Sequence, residues 1–105
     1  MNNYHQKKIK AGTTFLQRWT DSDVIIWEYQ LTHTHLTFRL EKKDTSGNLH
    51  IVCIEPLFYN GAFKWSNCNY QVSFVEDLFI LRDETTGYEI QCEDINFYEN
   101  CKPIR

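Results

Sequence analysis

Between Asp21 and Cys92 the chain breaks into short β-branched and aromatic segments, with turn residues recurring about every 8 to 12 positions as in antiparallel sandwiches and barrels. Asp21, Ser22 and Asp23 supply the first turn. Ile25, Trp27, Tyr29 and Leu31 then alternate with Ile26, Glu28 and Gln30, the period of a strand. The alternation resumes at Leu36, Phe38 and Leu40, where the apolar residues have moved from odd to even positions. Residues 32–34 therefore hold either a bulge or bend in one long strand or a hairpin, since no Gly, Pro or Asn selects between them.

Gly47, Gly61 and Gly87 each sit between apolar segments, where a turn needs backbone freedom. They mark strands over residues 49–54, 57–59, 62–65, 70–75, 78–82 and 88–92. Glu76-Asp77 joins two of these as a tight turn without glycine. After Cys92 the residues Ile95, Phe97, Tyr98 and Cys101 fit a short helix or a last edge strand, ended by Pro103. Residues 14–19 fit a short strand or one helical turn equally well. Residues 1–12 are polar and show no period, so they read as a flexible arm ahead of one antiparallel domain over residues 13–105. The expectation is a single all-β, mainly antiparallel domain, a small barrel or sandwich with room for one short helix at a terminus. Sequence neighbours favour a meander with one closure contact.

At 105 residues the chain builds one core and has no room for a second catalytic domain. A net charge of -3 argues against nucleic-acid binding through a general positive field. Charge is uneven, however. Residues 1–20 hold Lys7, Lys8, Lys10 and Arg18 with no acid, and residues 76–105 are rich in acids, so an acidic flank could meet a basic partner. No apolar run approaches the roughly 20 residues that span a bilayer, and no apolar segment follows the N-terminal lysines as in a secretory signal. Cys53, Cys68, Cys92 and Cys101 are widely spaced and no Asn-x-Ser/Thr sequon occurs. These features place the chain in the cytosol with its thiols reduced.

The commoner catalytic signatures are absent. The glycines lie too far apart for a phosphate-binding loop, no Gly-x-Ser-x-Gly or His-Glu-x-x-His occurs, and no Cys-x-x-Cys pair indicates zinc or redox chemistry. Adjacent acids such as Glu93 and Asp94 point to opposite faces of a strand and cannot share one reacting bond. His33 and His35 share one strand face and, with His50, could reach a metal, but polar surface is the commoner role of such residues. Cys53 and Cys92 lie in apolar patterns as core fillers, while Cys68 and Cys101 flank polar residues and read as exposed. We expect no catalytic residues, no metal and no cofactor.

The aromatic share, 15% of residues, needs explaining, and it concentrates in residues 56–65. A type I′ turn at Asn60-Gly61 sets Tyr59 opposite Ala62, Phe58 opposite Phe63 and Leu57 opposite Lys64. Phe58, Phe63 and Trp65 then anchor the hairpin from behind, and Leu57, Tyr59 and Lys64 form a partner-binding face. Trp19, Trp27 and Tyr29 read as core. The function expected is a noncatalytic protein-binding module, such as a regulator, adaptor, inhibitor or immunity-type protein. One alternative is a small-barrel binder of single-stranded nucleic acid using Arg39, Lys42, Lys43 and Lys64. Another is an enzyme or ligand carrier with an internal cavity and His33, His35 and His50 as acid-base groups. The partner expected is a protein; a homo-oligomer is compatible, and a membrane is not.

Overall fold

The computed structural model describes residues 2–32 and 34–100. It contains α1 (Asn3–Arg18), β1 (Asp23–Gln30), β2 (His35–Glu41), β3 (Asn48–Asn60), β4 (Lys64–Trp65), β5 (Tyr70–Val75), β6 (Leu78–Asp83) and β7 (Glu89–Asn100). The expected antiparallel β-domain is present as one seven-stranded sheet, ordered β4-β1-β2-β3-β7-β6-β5, that curls into a half-barrel. Two meanders, β1-β2-β3 and β5-β6-β7, join through the long β3–β7 ladder. β4 departs from the meander and crosses to the outer edge of β1.

Two expected strands, 49–54 and 57–59, are one strand. Glu55 adopts φ 52° and the register slips between Pro56 and Phe58, so β3 bends and carries Leu57 as an extra residue without breaking its ladder to β7. β7 is neither a helix nor an edge: it pairs with β3 on one side and β6 on the other. Its inward residues change from even, Ile90 and Cys92, to odd, Ile95 and Phe97, across Glu93 and Asp94, opposite the bend of β3 at Glu55. The β5–β6 turn sets both Glu76 and Asp77 at positive φ, the type I′ geometry achieved without glycine.

The largest correction is at the N-terminus, where the expected arm over residues 1–12 is the first part of α1 as far as it is described. Asn2 caps the helix by accepting from the His5 N–H, and Arg18 lies in the last turn, where a cation favours the helix dipole. The helix packs against β5 and β7 on the concave face of the sheet. Its inner stripe, His5, Lys8, Ile9, Gly12, Phe15, Leu16 and Trp19, has the spacing of a helix face. Polar and small residues occupy its first half, which hid it. A Cβ on Gly12 would come within 2.6 Å of the Phe97 ring, so only glycine lets helix and strand approach this closely.

The concave face forms the core. Phe38, Leu40, Leu49, Ile51, Cys53, Phe79, Leu81, Cys92 and Ile95 are all fully buried there. In β1 the expected apolar face is the wrong one. Val24 is buried and Ile26 packs against the core, whereas Ile25 and Trp27 are exposed; a bulge at Trp27 then turns Tyr29 toward the concave side opposite Leu36. Of the three aromatics read as core, Trp19 is buried, and Trp27 and Tyr29 are half-exposed.

Candidate protein-binding groove

Helix α1 covers only the β5–β7 end of the concave face, so the opposite end is open. There Ile26 and Tyr29 from β1, Leu36 from β2, Pro56 to Tyr59 from β3, and Phe63 line a groove of about 330 Å³ whose surface is mainly apolar. The bulge at Leu57 makes one wall, because the extra residue turns outward where the register with β7 slips. Leu57 is 59% exposed, Phe58 49% and Phe63 81%. Large apolar side chains gathered at one rim are characteristic of interaction surfaces rather than of scattered surface residues.

The hairpin expected from Asn60-Gly61 does not form. β3 continues through Asn60 against Glu89, and after residues 61–63 the chain delivers Trp65 opposite Val24 and Lys64 opposite Ile25. Two side chains direct this path. The Tyr59 hydroxyl folds back over Gly61 and donates to the Ala62 carbonyl; a Cβ on Gly61 would collide with it. The Trp65 indole N–H donates to Asp83 at 2.7 Å, and its ring stands edge-on to Tyr88 at 5.0 Å between centroids, with Phe38 and Tyr70 beyond. The Phe63 carbonyl then accepts from the Ile26 N–H at 2.8 Å, which fixes the groove's far wall.

The residues of the expected hairpin are therefore redistributed. Phe58 and Phe63, expected as buried anchors, are exposed at the groove rim. Tyr59, expected on the outer face, turns inward against Phe38, and burial, with a smaller contribution from Tyr88, pushes its hydroxyl up to about 12. Trp65 faces inward but anchors β4 to β6 and the core, not to β3. Leu57 is exposed, and Lys64 lies on the other side of β4, beside Asp23, Arg39 and Glu41 in a larger depression of about 440 Å³. In that depression Arg39 is tied to Glu41 at 2.8 Å and lies 4.3 Å over the Trp27 ring, so its charge is already engaged.

The expected acidic flank is mostly consumed within the fold. Lys8 pairs with Asp94 and also donates to the Ile95 carbonyl and to Asn96, and Arg18 pairs with Glu99. Arg82 engages Glu84 and Glu89, and Asp83 is buried. The hydrogen bond from Arg18, helped by the Trp19 indole, holds the Glu99 carboxyl below its usual range. At Asp94 burial works upward, but the Tyr4 hydroxyl, the Ile95 N–H and Lys8 outweigh it and the carboxyl is lowered. The basic N-terminus and the acidic C-terminal third therefore face each other.

His35 and His50 lie on the convex face, paired with Ile54 and Arg39; His33 is outside the described residues. Burial first and Arg39 second lower the His50 imidazole. Among the described residues no three His, Cys, Asp or Glu side chains gather to hold a metal ion. Cys53 and Cys92 fill the core, and Cys68, expected at the surface, is buried with its thiol pushed up to about 12, chiefly by burial. Cys101 lies outside the described residues. None of the described helices is long and apolar enough to cross a membrane. No protein-family model, curated protein or solved structure matches the chain.

Proposed function

We propose that this chain is a noncatalytic protein-binding module, working in the cytosol with reduced thiols, that docks a protein partner through the apolar groove at the open end of its half-barrel. The observation that carries this reading is the exposure of Leu57, Phe58 and Phe63 around one groove while the rest of the concave face is filled by the core. Among the described residues the titratable side chains that line the groove are Tyr29 and Tyr59, with no histidine, carboxylate or thiol beside them, and this favours binding over catalysis. The engagement of Arg39 by Glu41 and Trp27 weighs against a continuous basic track for nucleic acid. The reading keeps Leu57 from the sequence-based surface, adds Phe58, Phe63 and Tyr29, and gives up the acidic flank.

Affinity capture followed by titration of the captured protein tests it. Leu57→Asp and Phe58→Asp should each weaken that binding by about 1 to 3 kcal/mol, as at interface anchors. Thermal melts should stay near wild type, since both side chains already face solvent. Binding untouched by either variant, or retention of single-stranded nucleic acid in place of protein, refutes the proposal.

A further inference from the structure

Beyond the groove lies a second feature, the unprotected edge of β1. β4 is two residues long and covers that edge only at Val24 and Ile25, with the Phe63 carbonyl reaching Ile26. Among the described residues no strand lies beyond β1 past Ile26. The direction of the exposed backbone groups follows from the register. Ile26 points its N–H away from β2, and its β2 partner Phe38 is two residues from Leu36, the partner of Tyr29. Alternation of the antiparallel ladder therefore turns the N–H and C=O of Tyr29 outward as well. Natural edges are blunted by charge, proline or a covering element. The opposite edge follows that rule, because β5 presents Gln71 and Ser73, ends at Glu76-Asp77, and has α1 packed beside it. β1 instead presents Trp27 and Tyr29, with Leu31 just past its end, all three more than half exposed, and Glu28 is the one charge between them.

We propose that this edge pairs with the same edge of a second copy of the chain, forming a two-fold dimer centred on Tyr29. An antiparallel two-fold through that residue sets each Tyr29 against the partner's Tyr29, with reciprocal backbone hydrogen bonds from the outward groups. Glu28 then faces the partner's Gln30 on the convex side, where the bulge also places Trp27. No like charges oppose each other in this register. β1 ends at Gln30 and the chain turns at Leu31, so the partner's strand stops before the place that Phe63 occupies. Phe63 and the partner's Leu31, 81% and 75% exposed in the single chain, are brought together at that stop. Both Tyr29 side chains lie on the concave side, so the two grooves become neighbours across the axis.

The contact is short, in the range below about 1,200 Å² where interfaces are weak and transient. Sedimentation analysis of the full chain from about 1 μM to about 1 mM should show a rapidly exchanging dimer. Gln30→Glu places like charges opposite each other twice per dimer and should weaken association about fivefold. Gln30→Lys places opposite charges there and should strengthen it about fivefold. Leu57→Ser, in the groove, should leave the dimer within twofold of wild type, so loss of partner binding and loss of dimerisation are read separately. A monomer throughout the concentration range, or any pattern other than opposite shifts for the two Gln30 variants, overturns the proposal.

Discussion

Asp83 links the core to the groove, and its replacement gives a graded test of that link. The side chain is fully buried and accepts three hydrogen bonds: from the Trp65 indole at 2.7 Å, the Asn69 N–H at 2.9 Å and the Thr85 N–H at 3.0 Å. Both backbone bonds fall on Oδ1 and the indole bond on Oδ2. Asp83→Asn retains an oxygen for the two backbone donors and sets an amide N–H against the indole N–H. One bond to a charged acceptor is lost, a cost of about 1.5 to 3 kcal/mol. Asp83→Ala removes all three acceptors. Even after relief from burying a carboxylate offsets part of the loss, it should cost at least about 4 kcal/mol, a large part of the 5 to 15 kcal/mol typical of a domain. Trp65→Phe removes the same indole donor, so combining it with Asp83→Asn should cost about 1 to 2 kcal/mol less than the sum of the single changes. Urea unfolding followed by far-ultraviolet circular dichroism measures all four proteins independently of tryptophan fluorescence. In Asp83→Asn, amide exchange at Ile26 should also accelerate, because a looser β4 releases the Phe63 carbonyl. Costs that add without coupling, or equal effects of Asn and Ala at position 83, would refute this account of how the groove wall is held.

Deleting residues 2–12 should destabilise the fold by about 2 to 5 kcal/mol in urea unfolding, from loss of the Lys8 bond to Ile95 and of the His5 ring stacked 3.9 Å from Phe74; an unchanged midpoint would restore the flexible-arm reading. Acidification should lower the melting temperature in two stages. His50 is depressed in the folded chain, so its contribution is complete above the ordinary imidazole value of about 6.5 and is lost as pH falls below it; Asp94 and Glu99, also depressed, lose theirs below about 4. His50→Gln should remove the first stage alone, and a melting temperature that rises from pH 7.5 to 5.5 would contradict the sign.

What the residue order determined by itself was local. Alternation and turn chemistry marked the strands of β2, β5 and β6 closely, because the period of side chains along a strand and the backbone demands of a turn are properties of adjacent residues. The apolar segment at residues 56–65 was also visible as the place to look for a binding surface, and Leu57 was named within it. Tertiary structure decided which face each residue shows. Asn60-Gly61 has the chemistry of a hairpin turn, yet an indole bond to Asp83, 18 residues further on, and the open edge of β1 draw β4 elsewhere and turn Phe58 and Phe63 outward while Tyr59 turns in. The bulges at Trp27 and Leu57 act in the same way, since one extra residue exchanges the inner and outer sets of everything beyond it. Helix α1 was hidden for a related reason: its buried stripe includes a lysine, a histidine and a glycine, whose burial is stabilised only by Asp94 and Ile95, Phe74, and Phe97 on distant strands. Where a side chain's environment comes from neighbours in sequence, the sequence shows it. Where it comes from a strand elsewhere in the chain, only the folded sheet does.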